Sequence, residues 1–336
     1  MAIDLLGLVP HSVSRDLSGY ITYIYGAEKS GKTTFASHMP SPLIIAFERG
    51  YNALPGVFAQ DVTSWGEMKQ VLRQLKSPEV QEKFKSICID TIDIAGSLCE
   101  KYVCQQNGVD ALSGIPYGQG WTLVKKEFEE TFRAVTQLGY ALVFISHAKD
   151  KAFKAKNGNE YNQIVPTCPS SYNNIAKDMA DIYAYAEKYT ENGEGKVRLV
   201  LRSPDNSAET GCRFKYIDPI IDFSYDNLVE ALNRAIDKEA ALHDNKFVTN
   251  DREKVAVARV FDYDALRDEF QAIVSELMMA NQTYFAPRIT QIVDKYLGKG
   301  KKVADATIDQ AELIDLIVNE IKEDLVPQKD KKATIN

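Results

Sequence analysis

The first two thirds of the chain alternate short, continuous apolar runs with segments of helical periodicity. This pattern is typical of a mainly parallel β-sheet that helices cover on both faces. The runs 181–186 and 196–202 lie close together around the turn 191–195, which predicts an antiparallel hairpin at the sheet edge. The earlier predicted strands are 20–25, 43–47, 86–90 and 140–146, and the predicted helices are 33–38, 64–75, 91–104 and 121–138.

The last third of the chain has a purely helical pattern. Apolar residues recur at helical spacing in three groups, within 263–277, 289–296 and 313–321. A capping-box pattern, Thr307-x-x-Gln310, precedes the last group. We therefore predict an α/β domain over 1–235, an all-helical C-terminal domain over 236–325 and a flexible tail over 326–336.

Composition and charge narrow the class of protein. The 336 residues are 45% hydrophobic and 26% charged, and 47 acidic against 40 basic residues give a net charge of −7. This balance excludes a histone-like polybasic protein but not a local basic patch. The sequence has no apolar run of the ~18 residues that would span a bilayer. Its first residues, Met-Ala-Ile-Asp-Leu-Leu, show no basic region before an apolar core, so we expect no secretory signal. The five cysteines form no C-x-x-C pair, so we expect neither a disulfide framework nor a structural zinc, and we expect a cytoplasmic protein.

A phosphate-binding loop follows the first predicted strand. Gly26-Ala-Glu-Lys-Ser-Gly-Lys-Thr33 fits the pattern G-x-x-x-x-G-K-[ST] and opens a predicted helix; a chance match in a glycine-containing turn is the alternative. Glycines let the backbone N–H groups close around phosphate oxygens, while Lys32 reaches the β- and γ-phosphates and Thr33 binds Mg²⁺. The sequence therefore predicts ATP and Mg²⁺ as cofactors. The predicted cofactor-binding residues are Gly26, Ala27, Glu28, Lys29, Ser30, Gly31, Lys32, Thr33, Thr34 and His147.

Polar residues at three further strand ends complete the predicted site. Asp90 ends the run 86–90 and is the expected second Mg²⁺ ligand, with a helix-capping role as the alternative. Thr91 follows Asp90, so no glutamate stands directly after it, and Glu48 at the end of the neighbouring strand is the predicted catalytic base. Glu48 can also be a surface residue. His147 ends the fourth strand, where it can contact the γ-phosphate or be satisfied by backbone.

Several segments of the chain form a set of motifs in a fixed order. They are the loop 25–34, the glutamate segment 46–54, Ile89-Asp90-Thr91, Tyr117-Gly-Gln-Gly-Trp121, Ser146-His147 and Arg213-Phe214. The first two resemble segments of the RecA recombinases, and the whole set resembles phage-encoded RecA-like P-loop ATPases linked to single-strand annealing and recombination. The resemblance covers about 15–235 and implies a RecA-like core. Two residues depart from RecA itself: Lys29 adds a cation to the loop, and His147 replaces a glutamine.

The resemblance also implies sites outside the phosphate loop. The loop after strand 140–146 faces DNA in RecA-like proteins, and here it interleaves cations with aromatics, which suits single-stranded nucleic acid. A solvated lysine-rich loop is the alternative. Arg202 is a candidate arginine finger, a cation that reaches the nucleotide of an adjacent subunit, and Arg198 and Arg213 are the other candidates. The alternative is that Arg202 prevents unwanted strand pairing at the sheet edge. The residues predicted to contact DNA are Lys149, Lys151, Phe153, Lys154 and Lys156.

We therefore predict a Mg²⁺-dependent ATPase that binds single-stranded DNA and promotes annealing or strand exchange in phage recombination or replication. Glu48, Lys32 and Arg202 are its predicted catalytic residues. The expected partners are single-stranded DNA, further copies of the chain in a ring or filament with nucleotide at subunit interfaces, and other phage recombination or replication proteins in the host cytoplasm. A helicase loader or helicase-like motor, a small-molecule kinase and a non-catalytic nucleotide-gated module are the alternatives.

Overall fold

The computed structural model describes residues 6–154, 160–244, 246–252 and 261–329. These residues form two compact units, one within Val9–Ala258 and the other within Arg259–Asn336, to which residues 6–8 also belong. None of the described helices is long and apolar enough to cross a membrane.

The larger unit is built on one long β-sheet. Its described strands are β2 Thr22–Gly26, β3 Pro42–Ala46, β4 Phe58–Asp61, β5 Ser86–Asp90, β6 Ala141–Lys154, β7 Glu160–Pro166, β8 Ile182–Glu191, β9 Glu194–Val200, β10 Gly211–Cys212 and β11 Ile220–Asp222. Six of them run parallel in the order β4-β3-β5-β6-β2-β8, and β9 and β11 add antiparallel strands beyond β8. This confirms the predicted mainly parallel sheet with an antiparallel edge. The short strands β1 Val13–Ser14 and β12 Val248–Thr249 pair with each other in a separate two-stranded sheet.

Helices cover both faces of this sheet. Trp65, Phe128 and Tyr172 pack on one face, whereas Phe35 and Leu232 pack on the other. Because each central strand is buried on both sides, it needs the continuous apolar run from which it was predicted. The described helices of this unit are α1 Lys32–Ser37, α2 Trp65–Gln74, α3 Pro78–Lys83, α4 Ile92–Gln106, α5 Gln119–Gln137, α6 Ser170–Met179 and α7 Tyr225–Ala240, and those of the smaller unit are α8 Tyr263–Leu297 and α9 Ala311–Asp324.

The segment after His147 is a strand, although the sequence analysis made it a loop. Strand β6 continues from the sheet to Lys154 and pairs antiparallel with β7. We call residues 148–154 and 160–166 the β6–β7 ribbon. Alternating lysines look like a solvated loop in sequence, but an extended ribbon also exposes such residues on its faces.

The smaller unit is helical, as predicted. Helix α8 breaks at Asn281, whose backbone is extended (φ −163°, ψ 91°) and whose side chain accepts a hydrogen bond from the Tyr284 N–H at 3.0 Å. With the break, the described part of this unit has three α-helical segments, and their apolar residues form a core of their own that includes Phe285, Ile314 and Ile317. The predicted capping box at Thr307 and Gln310 is present.

The boundary between the two units lies later than the predicted position after residue 235. Helix α7 runs through that position without a break, and Leu228, Leu232 and Ile236 are buried in the core of the larger unit. The helical pattern of α7 resembles that of the C-terminal segments, so sequence alone assigned its end to the wrong unit. Of the predicted tail, 326–328 form a single 3-10 turn and 330–336 lie outside the described residues.

Replacing Ile236, which lies beyond the predicted boundary, by alanine tests this assignment. Ile236 is only 2% exposed, so Ile236→Ala should lower the free energy of unfolding of the larger unit by about 2–5 kcal/mol. Leu242→Ala is the matched control, because Leu242 is 63% exposed and its loss should cost under about 0.5 kcal/mol. Both tryptophans, Trp65 and Trp121, lie in this unit, so their fluorescence during urea unfolding follows it directly. Equal, small losses in both variants would contradict the assignment.

Candidate functional site

The phosphate loop lies between β2 and α1, at the carboxyl edge of the sheet. Gly31, immediately before α1, has a left-handed backbone conformation (φ +89°), and so does Lys29 two residues earlier (φ 55°). A Cβ on Gly26 would lie 2.5 Å from the carbonyl oxygen of Ala186, so only glycine lets β2 end this close to β8. Lys188 Nζ donates to the Glu28 carbonyl at 2.6 Å and holds the loop from outside.

Lys32 lies beneath the loop and is only 6% exposed. Its Nζ donates to the carbonyl oxygens of Gly26 at 2.9 Å and Ala27 at 2.8 Å. Burial lowers the pKa of Lys32, and the nearby carboxylates of Asp90 and Glu48 oppose that shift. These carbonyls hold the ammonium group at the loop, where phosphate oxygens could take their place.

Thr33 and Asp90 meet as the sequence predicted. The Thr33 hydroxyl donates to Asp90 Oδ2 at 2.7 Å, and Asp90 is 2% exposed. Burial raises the pKa of Asp90 to about 6, although the Thr33 hydrogen bond lowers it. A hydroxyl and a carboxylate are the hard oxygen ligands that Mg²⁺ prefers, so the pair fits this ion chemically. No group of three or more His, Cys, Asp or Glu side chains among the described residues forms a metal cage, so the nucleotide would supply further ligands.

Gly50 belongs to this site although the sequence analysis did not single it out. A Cβ on Gly50 would lie 2.8 Å from Thr33 Oγ1 and 3.1 Å from Asp90 Oδ2. Any larger residue would therefore push apart the pair that fits Mg²⁺. The only sequence signal was a glycine two residues after the predicted catalytic glutamate.

Glu48 and His147 form a hydrogen-bonded pair across the end of β5. Glu48 Oε1 lies 3.1 Å from His147 Nε2, and the Phe47 and Glu48 N–H groups donate to the Asp90 carbonyl at 2.7 and 3.1 Å. This hydrogen bond lowers the pKa of Glu48 and raises the pKa of His147. His147 Nδ1 is buried without a hydrogen-bond partner. The pair therefore favours the carboxylate form of Glu48, the predicted base, and holds that carboxylate in a hydrogen bond with His147.

Asp93 is a second residue that the sequence analysis missed. It lies in the first turn of α4, and its Oδ1 accepts hydrogen bonds from the Ser146 hydroxyl at 3.1 Å and from the Thr167 hydroxyl. The Thr167 N–H donates to the His147 carbonyl at 2.9 Å. Asp93 thus joins the start of α4 to the base of the β6–β7 ribbon. Its position three residues after Asp90 was the only available signal.

The predicted DNA-binding residues divide between the two faces of the ribbon. Side chains alternate along a strand, so Lys149, Lys151 and Phe153 share one face and Lys154 lies on the other. On the first face, Phe153 stacks on Tyr161 with ring centroids 5.5 Å apart, and Lys151 Nζ lies 4.9 Å from the Phe153 centroid. Lys156 lies outside the described residues.

The three candidate arginines are all engaged within the chain. The Arg202 guanidinium donates to the carbonyls of Cys212 at 3.0 Å and Phe214 at 2.9 Å. Arg198 pairs with Glu187 at 2.6 Å, and Arg213 pairs with Asp181 at 3.1 Å. In this chain, these contacts tie β8, β9 and β10 together, and the finger role of Arg202 stays a prediction.

One cleft gathers most of the predicted nucleotide-binding residues. It has a volume of about 430 Å³. Gly26 and Ala27 contribute their carbonyls beneath it, whereas Arg202 and the ribbon do not line it. The lining residues are Glu28, Lys29, Ser30, Gly31, Lys32, Thr33, Thr34, Glu48, Arg49, Gly50, Asp90 and His147.

The Glu48–His147 pair gives a prediction for titration. Because the Glu48 carboxylate raises the pKa of His147, Glu48→Gln should lower that pKa, and His147 should lose its proton at lower pH. NMR titration of the histidine ring protons measures this, with His147→Asn to assign the signal. Glu239→Gln, beside His243 at 3.8 Å, is the control and should leave His147 unchanged. An unchanged pKa in Glu48→Gln would show that the pair does not form in solution.

Two comparisons with known proteins bear on the phosphate loop and its cleft. The chain is 28% identical over 334 residues to the "SPbeta prophage-derived uncharacterized protein YorG" of Bacillus subtilis (strain 168), and the aligned residues cover 96% of this chain and 99% of that protein. A family model described as an AAA domain matches residues 18–214, which include every residue that lines the cleft. Because this match spans more than half of the 336 residues, the chain belongs to that family, the AAA_24 family of AAA domains.

Proposed function

We propose that the protein is a Mg²⁺-dependent ATPase that couples hydrolysis to single-stranded DNA held on the β6–β7 ribbon. The observation that carries this proposal is the convergence of Lys32, Thr33, Asp90 and Glu48 on one cleft of nucleotide size. These are the cation, the two Mg²⁺ ligands and the base that phosphoryl transfer to water requires.

The reaction is an attack of water on the γ-phosphorus. Glu48 accepts a proton from the water while the new P–O bond forms, and the bond to the β–γ bridging oxygen breaks, so ADP and phosphate leave. Lys32 exchanges the carbonyls of Gly26 and Ala27 for β- and γ-phosphate oxygens. Mg²⁺ bound to Thr33 and Asp90 would neutralise phosphate charge.

His147 links the state of the nucleotide to the ribbon. Its hydrogen bond lowers the pKa of Glu48 and so weakens Glu48 as a base. A γ-phosphate offers His147 another acceptor, which would release Glu48 for proton transfer. Strand β6 continues from His147 directly to Lys149 and Lys151, so a shift of His147 reaches the ribbon through the strand itself.

The face of the ribbon that carries Lys149, Lys151 and Phe153 has the chemistry that single-stranded DNA requires. Lys149 and Lys151 can neutralise backbone phosphates, and the Phe153–Tyr161 pair can stack on bases. The prophage origin stated in the name of the Bacillus relative supports a phage setting. We propose annealing or strand exchange in phage recombination or replication as the role, in an oligomer with nucleotide at its subunit interfaces.

Phosphate release tests the ATPase. The wild type should release phosphate from ATP and Mg²⁺, faster with single-stranded DNA present. Glu48→Gln should bind ATP with similar affinity but reduce kcat by about 10²–10⁴-fold, because only proton transfer is lost. Lys32→Ala should weaken ATP binding itself. Unchanged phosphate release in Glu48→Gln would remove Glu48 as the base, and an inactive wild type that binds ATP would favour a nucleotide-gated binding module.

The two faces of the ribbon provide a matched test of DNA binding. Lys151→Ala and Phe153→Ala should each weaken binding of a fluorescent oligo(dT), and Lys151→Ala should also reduce its salt dependence. Loss of stacking in Phe153→Ala should cost about 1–3 kcal/mol. Lys154→Ala removes the same charge from the opposite face and should change affinity little. Equal losses in Lys151→Ala and Lys154→Ala would contradict a specific binding face.

A further inference from the structure

We propose that Arg49 is a further cation of the catalytic cleft, beside Lys29 and Lys32, and that it contacts the γ-phosphate of the nucleotide bound to its own chain. The inference rests on the proposed function, since it assigns a role in the same cleft. Arg49 directly follows the predicted base and lines the cleft. Neither the sequence motifs nor the match to an AAA domain gives it a role.

The backbone on both sides of Arg49 is fixed against the catalytic groups. The Glu48 N–H donates to the Asp90 carbonyl at 3.1 Å. Gly50 packs so closely that a Cβ there would meet Thr33 Oγ1 at 2.8 Å. The backbone of Arg49 therefore lies on the side of the cleft that carries the proposed base and the proposed Mg²⁺ ligands. The γ-phosphate would have to lie next to this side of the cleft for hydrolysis.

The Arg49 side chain is held only loosely. It is 71% exposed, and its guanidinium contacts Asp61 Oδ2 at 3.1 Å. Asp61 also accepts a hydrogen bond from the Tyr51 hydroxyl at 2.6 Å, so its carboxylate keeps a partner when Arg49 leaves. Exposed ion pairs contribute little to stability. The guanidinium can therefore exchange Asp61 for a phosphate at small cost.

A guanidinium suits the charge that develops in this reaction. Its planar fork of N–H donors can bind two oxygens of one phosphate in parallel, whereas the ammonium group of a lysine acts as a compact point charge. During water attack, negative charge builds on the γ-phosphate oxygens and the β–γ bridging oxygen. Among the described residues that line the cleft, Arg49 is the one guanidinium, since Arg198, Arg202 and Arg213 lie elsewhere. Arg49 would stabilise this charge beside Glu48, which takes the proton.

Nucleotide affinities test the contact without requiring turnover. We would measure Kd for ADP and for the non-hydrolysable analogue AMP-PNP, both with Mg²⁺, in the wild type, Arg49→Ala and Asp61→Ala. Arg49→Ala should leave the Kd for ADP within about twofold and reduce the preference for AMP-PNP by about tenfold or more, as expected for a lost hydrogen bond to a charged group. The Asp61→Ala variant loses the ion-pair partner of Arg49 but keeps the Arg49 guanidinium. Its preference for AMP-PNP over ADP should therefore equal or exceed that of the wild type.

The outcomes separate this inference from the proposed function. An unchanged preference for AMP-PNP in Arg49→Ala would overturn the inference, and so would equal losses in Arg49→Ala and Asp61→Ala, because those would mark the ion pair as structural. A preference that depends on Arg49, in a wild type that releases no phosphate, would support the contact while refuting hydrolysis. In an active wild type, Arg49→Ala should also lower kcat, and Arg49→Lys should restore only part of it.

Discussion

The cleft depends on two opposite charges that the fold buries without pairing them to each other. Lys32 is satisfied by the carbonyls of the phosphate loop, and Asp90 by the hydroxyl of Thr33. Burying a charge is costly unless it is compensated, so a site of this kind gains free energy when phosphate oxygens and a cation complete it. Burial is the main cause of both pKa shifts, the lowered pKa of Lys32 and the raised pKa of Asp90.

The sheet provides the geometry that these charges need. In its register, Gly26 pairs with His147, and Ala46 pairs with Asp90. Parallel strands bring their carboxyl ends to one edge, so the ends of β2, β3 and β5 lie there beside His147 of β6. The β6–β7 ribbon then extends one of these strands beyond the edge. Nucleotide chemistry and the proposed DNA face therefore share a single continuous strand.

Sequence reasoning identified the residues that have local signals. The loop 26–33 has a spacing motif, and Asp90, Glu48 and His147 each follow an apolar run whose end can be read directly. The strand 86–90 was predicted with the bounds that the structure gives. These features could be predicted because burial on both faces dictates the apolar runs, and a parallel sheet dictates where they end.

The remaining features depend on contacts between distant parts of the chain. The role of Gly50 comes from packing against Thr33 and Asp90, and that of Asp93 comes from hydroxyls more than 50 residues away. The partner of Arg49, Asp61, ends a different strand. Periodicity could not show that α7 packs on the sheet, because a helix has the same apolar pattern whichever core it covers.

The most direct test of the account is a structure of the protein with ADP, Mg²⁺ and aluminium fluoride, which imitates the γ-phosphate during transfer. We expect the Glu48 carboxylate to have left His147 and to contact the water in line with the aluminium, with Thr33 and Asp90 at the metal. A Glu48 that stays on His147, with no water within hydrogen-bond distance of its carboxylate, would contradict the assignment of the catalytic base.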